Sequence, residues 1–96
     1  MNRVTILQTL RENREQLSHM GVRSLALFGS AARDELLPDS DIDLLADLAP
    51  PYTFDRYIKV KFFLEDLFQR PVDLVMPDTL KERVRSYVIK EAIYVS

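Results

Sequence analysis

The chain has 96 residues, which suits one domain with one modest core, so we expect residues 1–96 to form a single domain. It has no cysteine and one histidine, which excludes a disulfide framework, a thiolate zinc site, a cysteine nucleophile and any mechanism that needs two imidazoles. The net charge is −2, with 13 basic and 15 acidic residues, which argues against direct binding to a nucleic-acid backbone.

The first predicted element is a helix over residues 3–20. Its apolar side chains recur at helical spacing on one face: Ile6, Leu7, Leu10 and Leu17. Gly21 suits the position directly after a helix ends. The apolar residues 24–28 then predict a strand that is buried on both faces.

Residues 30–37 predict a short helix, which Pro38 ends. Residues 41–48 predict a second strand, and Pro50-Pro51 prevents it from continuing as a helix. A long helix is expected over residues 53–69, with Thr53 as its N-cap. Its expected core face comprises Tyr57, Val60, Leu64, Leu67 and Phe68.

Residues 71–76 predict a third strand. A capping-box pattern that runs from Thr79 to Glu82 predicts the start of the last helix. The expected buried face of that helix comprises Leu80, Val84, Tyr87 and Val88. Residues 93–95 could add a final extended piece. Strands that alternate with helices indicate an α/β domain, a single small mixed sheet of three to four strands flanked by helices.

Three aspartates lie in the predicted strands. Asp41 and Asp43 are two residues apart, so both side chains leave the same face, and Asp73 interrupts an apolar strand. Like charges repel, and a carboxylate in an apolar strand loses hydration unless something compensates its charge. Because the chain offers oxygen ligands without cysteine, a divalent cation such as Mg²⁺, or Mn²⁺ as the alternative, is the natural compensator.

Gly29 and Ser30 follow the first apolar strand directly. Glycine allows a ligand to approach the backbone closely, and the N–H groups of the next turn, with the Ser30 hydroxyl, can hold phosphate oxygens. Arg33 adds a positive charge within reach of a polyphosphate or of the acidic cluster. A phosphate cradle beside a carboxylate metal site suits a metal-bound nucleoside triphosphate.

Each of these signals is weak alone, and their combination is far more specific. The segment GSAARDELLPDSDIDLL at residues 29–45, followed by VDLV at residues 72–75, closely resembles the minimal nucleotidyltransferases of the DNA polymerase β superfamily. These MNT-type proteins are often paired with HEPN-domain toxins. The resemblance covers the whole chain in length and element order and rests on the spacing Gly-Ser, ten residues, Asp-x-Asp.

The resemblance implies a palm-like nucleotidyltransferase fold and a set of site residues. Asp41, Asp43 and Asp73 would be the catalytic, metal-binding carboxylates, and Gly29 and Ser30 would bind the nucleotide phosphates. Two metal ions about 4 Å apart can stabilise the attacking and leaving oxygens of an in-line displacement at phosphorus. Such a reaction needs no side-chain nucleophile, in agreement with the missing cysteine.

The implied enzyme is a Mg²⁺-dependent antitoxin that moves AMP from ATP onto a hydroxyl of a HEPN toxin, with tyrosine as the expected acceptor. One departure from the family pattern is visible, because Asp34 stands where members often have glycine. A carboxylate near a triphosphate is unfavourable unless it points away, so Asp34 bears on nucleotide affinity and on the orientation of the short helix. Ser40 is expected to shape the turn before Asp41, with nucleotide contact as the alternative.

Ile58 and Phe62 lie one turn apart on the polar side of the long helix, and they are either incidental or a partner-binding face. That face supports an alternative function, in which the protein neutralises its partner by contact alone. A further alternative is nucleotidyl transfer to a small molecule in a shared dimer cleft. The oligomeric state stays open between a homodimer and a hetero-oligomer with the toxin.

No apolar run approaches the roughly 18 residues that a membrane span needs, so no membrane association is expected. The start of the chain is charged and lacks the apolar region of a secretory signal. We therefore expect a cytoplasmic protein.

Overall fold

Residues 1–95 are described by a computed structural model, in which four strands form one sheet with helices on both faces. In chain order the elements are α1 (Arg3–Glu12), α2 (Arg14–His19), β1 (Val22–Phe28), α3 (Gly29–Ala32), β2 (Ile42–Leu48), α4 (Phe54–Phe68), β3 (Val72–Val75), a 3₁₀ turn (Pro77–Thr79), α5 (Glu82–Glu91) and β4 (Ile93–Val95).

The sheet has the strand order β3-β2-β1-β4. Strand β1 pairs antiparallel with both β2 and β4, whereas β2 and β3 are parallel. The parallel pair is joined by α4, because two parallel neighbours need a crossover connection. The sequence prediction of a small mixed sheet flanked by helices is confirmed, including the short extended piece at residues 93–95.

One face of the sheet carries the main core. Alternate residues of β2 are buried on this face: Ile42, Leu44, Ala46 and Leu48. They pack with side chains of α1, α2 and α4, among them Ile6, Leu10, Leu17, Val60, Leu64 and Phe68. The helical faces predicted for the first and the long helix are therefore confirmed.

Helix α5 covers the opposite face. Its Val88 packs in a second cluster with Ala26 of β1 and Leu45 of β2. Because β1 and β2 are covered on both sides, their central residues are apolar without interruption.

Asn13 interrupts the single helix predicted over residues 3–20. Its backbone leaves the helical region at φ −105° and ψ 11°, and its side-chain amide donates to the Thr9 carbonyl at 2.8 Å. An asparagine side chain that bonds to nearby backbone competes with the helix in this way. Two shorter helices result, and Gly21 follows them at φ +96° as expected.

The capping box predicted for the last helix is wrong. The Thr79 hydroxyl donates to the Met76 carbonyl within the 3₁₀ turn, and α5 begins three residues later, at Glu82. The helix face predicted to be buried is also wrong in part, since Val84 and Tyr87 are exposed and Val88 is buried. Helix α5 thus covers the sheet with a narrower apolar stripe than the spacing indicated.

Among residues 1–95, no helix combines the length and the apolar character that crossing a membrane would require.

Candidate active site

The predicted carboxylates gather at one end of the sheet. Asp43 and Asp73 are direct neighbours across the parallel strands β2 and β3, whose backbones lie about 4.8 Å apart. Asp41 lies directly before β2, two residues from Asp43, and is close enough for its charge to act on Asp43. Alternation puts the side chains of Asp43 and Asp73 on the same face as Leu45, which is the face that α5 covers.

Electrostatic repulsion acts on Asp43 within this group. Burial, followed by the nearby charges of Asp73 and Asp41, raises the pKa of Asp43 to about 6, while the charge of Arg33 partly opposes this shift. Burial and two neighbouring carboxylates disfavour the ionised form of Asp43, and a bound cation would stabilise that form.

Gly29 lies against Asp43. The residue before it, Phe28, pairs with Asp43 across the antiparallel strands β1 and β2. Gly29 has φ +72°, and a Cβ added there would collide with the Oδ2 atom of Asp43. The lack of a side chain at residue 29 therefore allows the backbone after β1 to approach the carboxylates.

The first residues after β1 form α3, which is shorter than predicted. The helix ends at Ala32, and Asp34 adopts the left-handed region at φ +60°. The Asp34 carboxylate accepts a hydrogen bond from the backbone N–H of Arg3 at 3.0 Å. Asp34 is thus engaged with the start of α1, and glycine would adopt this backbone conformation without strain.

Glu91, the last residue of α5, is a member of the site that the sequence analysis missed. Its Oε1 atom accepts from the backbone N–H of Gly29 at 2.9 Å and from the guanidinium of Arg33 at 2.8 Å. Arg33 also donates to the Glu35 carboxylate at 3.0 Å. Glu91 is 62 residues from Gly29 and 58 from Arg33, so no local sequence pattern could have indicated it.

Ser40 shapes the turn before Asp41, as predicted. Its hydroxyl accepts from the Leu37 backbone N–H at 3.2 Å, and its own N–H donates to the Leu37 carbonyl at 3.0 Å. Arg70 donates to the carbonyls of both turn residues, at 3.0 and 3.1 Å. The turn that leads to Asp41 is therefore tied to the start of β3.

The predicted partner face lies away from the carboxylates. Helix α4 packs on the sheet face opposite α5, and Phe62 on its outer side is 59% exposed, whereas Ile58 is half-buried. The structure thus separates Phe62 from the carboxylate group by the thickness of the sheet.

The site suits a divalent cation by the chemistry of its donors. Within residues 1–95 no group of three or more His, Cys, Asp or Glu side chains is close enough together to hold a metal ion as it stands. Asp43 and Asp73 nevertheless share one face, with Asp41 near Asp43. All three offer hard oxygen donors of the kind Mg²⁺ prefers, and the charges of Asp73 and Asp41 repel the ionised form of Asp43.

Comparisons with known proteins agree with this geometry. The sequence matches the nucleotidyltransferase domain family over residues 7–95. The protein adenylyltransferase MntA of Thermococcus cleftensis is 37% identical over 82 residues, which are 85% of this chain and 83% of that one. A solved structure described as a minimal nucleotidyltransferase has a TM-score of 0.84 and 36% identity, and the match covers 97% of this chain and 95% of that one. A toxin–antitoxin crystal structure with AMP-PNP has a TM-score of 0.69 at 21% identity, covers 100% of this chain and 73% of that chain, and shows a likeness of fold.

Proposed function

The chain belongs to the nucleotidyltransferase domain family, as a minimal member of the DNA polymerase β superfamily, and we propose that it transfers AMP from ATP onto a hydroxyl of a partner protein. The observation that carries this proposal is the pairing of Asp43 with Asp73 on one sheet face, with Asp41 beside them and Gly29 against them. The Thermococcus relative, which is named a protein adenylyltransferase, supports a protein as the acceptor.

We assign Asp41, Asp43 and Asp73 to holding two Mg²⁺ ions, which would supply positive charge that stabilises the transferring phosphoryl group. Gly29 lets the nucleotide phosphates approach the backbone, while Ser30 and Arg33 offer them a hydroxyl and a positive charge. In the reaction the acceptor oxygen bonds to the α-phosphorus, the bond between the α-phosphorus and the oxygen that bridges it to the β-phosphorus breaks, and pyrophosphate leaves with the electron pair. The acceptor hydroxyl gives its proton to solvent water.

We propose that the acceptor is a tyrosine of a HEPN-domain toxin and that the protein acts as its antitoxin. The likeness of fold to a toxin–antitoxin structure with AMP-PNP supports the antitoxin role and a toxin as the partner. On this proposal residues 1–96 form one catalytic domain, and the toxin itself provides the recognition of the acceptor. The proposal predicts that the neighbouring reading frame encodes the toxin.

The decisive experiment is intact-mass analysis of that neighbouring protein after incubation with the chain, ATP and Mg²⁺. We expect the mass of the partner to rise by one or more AMP units, and we expect the double variant Asp41→Ala, Asp43→Ala to leave it unchanged. Asp47→Asn is the matched control, because Asp47 lies on the same strand in an exposed ion pair with Arg23 and should not affect transfer. An unmodified partner, or full labelling by the double variant, would sink the proposal.

Neutralisation by contact alone is the second candidate function, and the exposed ring of Phe62 is the observation that favours it. This candidate predicts that the double aspartate variant still protects cells from the toxin. The catalytic proposal predicts that protection is lost together with the AMP mass shift.

A further inference from the structure

We infer that Glu91 is a positioning residue of the nucleotide site, which holds the Gly29 backbone and the Arg33 guanidinium in the arrangement that receives the phosphates. The inference rests on the proposed nucleotidyltransferase function and extends it to a residue outside the Gly-Ser and Asp-x-Asp motifs.

The contacts of Glu91 join three parts of the chain at one atom. A single oxygen, Oε1, accepts from the backbone N–H of Gly29, directly after β1, and from the guanidinium of Arg33, directly after α3. The Glu91 side chain is 20% exposed, against 48% for Arg33, so the carboxylate is the more enclosed partner of the pair. Glu91, the last residue of α5, therefore holds the segment from Gly29 to Arg33 (the loop) against the sheet.

Arg33 needs such a partner because a long side chain loses considerable rotamer freedom when it is fixed in one place. Its Nη1 atom donates to Glu91 and its Nε atom donates to Glu35. A guanidinium has five N–H donors, so about three remain free of partners in the described chain. A guanidinium that is oriented in advance and still has free donors is well prepared to bind an anion.

The Gly29 amide has a different need. It lies at the first residue of α3, where a backbone N–H has no partner inside the helix. Glu91 supplies that partner and leaves Ser30, the proposed phosphate contact, unengaged by its carboxylate. Glu91 therefore secures the loop without occupying the proposed phosphate position.

The alternative is that the Glu91 carboxylate occupies the position that a nucleotide phosphate takes beside Gly29 and Arg33, and must leave when the nucleotide binds. The two interpretations predict opposite effects of removing the carboxylate. A positioning residue strengthens nucleotide binding, whereas a competing anion weakens it.

The first test measures the affinity of the full chain for AMP-PNP with Mg²⁺ by calorimetry. We expect Glu91→Ala to weaken binding about tenfold or more, since it removes two charge-assisted hydrogen bonds. Glu91→Gln should recover part of the affinity, because its amide oxygen can still accept from Gly29. Glu82→Gln, an exposed glutamate on the same helix, is the matched control and should bind like the wild type.

Activity separates positioning from a general loss of structure. With partner protein as acceptor, Glu91→Ala should raise the KM for ATP by a larger factor than it lowers kcat, and thermal unfolding should confirm that the variant is folded. Unchanged or tighter AMP-PNP binding by a folded Glu91→Ala variant would overturn the inference.

The chain contains only two glycines, which allows a direct second readout. Labelling glycine with ¹⁵N should give one amide signal for Gly29 and one for Gly21, and the latter serves as an internal reference. Glu91→Gln should move the Gly29 signal, and AMP-PNP should increase the protection of the wild-type Gly29 amide from hydrogen exchange. Lower protection after AMP-PNP is added would show that Glu91 is displaced and would overturn the inference.

These outcomes are distinguishable from a failure of the proposed function. Wild-type protein that binds AMP-PNP but labels no partner would leave the role of Glu91 intact and reject the proposed acceptor. Wild-type protein that binds no AMP-PNP would reject both.

Discussion

Gly29 and Asp43 are in such close contact that residue 29 has no room for a Cβ atom without displacing the Asp43 carboxylate. The contact joins the end of β1 to the proposed metal-binding strand β2. Gly29 also has a left-handed backbone, at φ +72°, so both its conformation and its neighbour favour glycine.

Gly29→Ala should therefore lower both stability and activity. We expect a loss of about 1–2 kcal/mol in the free energy of unfolding, because alanine is strained in the left-handed region. Displacement of Asp43 should reduce AMP transfer about a hundredfold, the scale of the effect when reacting groups are misplaced by about 1 Å. Denaturant titration and a labelled-ATP assay measure the two effects.

Gly21→Ala is the matched control for this substitution. Gly21 has φ +96° and lies at the other end of β1, where a Cβ would meet the flexible guanidinium of Arg56. We expect a comparable loss of stability with unchanged transfer per folded molecule. Equal losses of specific activity in the two variants would contradict the assigned role of Gly29.

The charge of Asp43 should make the metal-free protein less stable as the pH rises. The pKa of Asp43 is raised from 3.8 to about 6 in the folded protein, chiefly by burial and then by the charges of Asp73 and Asp41. Between those values the folded state binds more protons than the unfolded state, so the Asp43 contribution is favourable at low pH and is lost as the pH rises through about 6.

Asp43→Asn removes this charge, so its melting temperature in EDTA should exceed that of the wild type at about pH 8, and the difference should shrink steadily as the pH falls from about 6 towards 3.8. Asp43 is partly exposed, so the gain should be well below the roughly 1.4 kcal/mol per pKa unit of a fully converted shift. Added Mg²⁺ should stabilise the wild type at the higher pH and narrow the difference. A difference that is independent of pH would rule out this account of Asp43.

Asp34→Gly should leave nucleotide affinity unchanged, because the Asp34 carboxylate is bonded to the backbone N–H of Arg3. Stability should change little, since relief of the left-handed strain, about 1 kcal/mol, is offset by a lost hydrogen bond of about the same size. The measurements are the KM for ATP and the free energy of unfolding. A several-fold drop in KM would instead indicate that Asp34 repels the phosphates.

The sequence was sufficient to predict the features of the site that follow from local patterns along one strand or one turn. Alternation predicted that the side chains of Asp41 and Asp43 leave the same face, and the apolar pattern around Asp73 placed that residue in the third strand. The parallel pairing that brings Asp73 beside Asp43 is a finding of the structure. Gly29 was predicted to let a ligand approach the backbone closely, because it directly follows an apolar strand.

The parts that sequence could not predict depend on contacts between distant residues. In the sequence, Glu91 looks like any exposed glutamate of a helix, and only the fold brings it to Gly29. The pattern from Thr79 to Glu82 failed as a capping box because the Thr79 hydroxyl bonds to Met76 behind it. Residue types alone do not determine which of two nearby partners a side chain selects.

Phe62→Asp tests whether contact through α4 contributes to neutralisation of the partner. Phe62 is 59% exposed on the sheet face opposite the carboxylates, so the substitution should change stability by less than about 0.5 kcal/mol. If the surface docks the partner, the variant should lose affinity in a pull-down with purified partner, while its AMP-PNP binding stays at the wild-type value. Lys59→Ala, an exposed change on the same helix that removes a surface ion pair with Asp55, is the control. Wild-type affinity for the partner in Phe62→Asp would show that docking uses another surface, and would leave catalysis on the α5 face as the supported route to neutralisation.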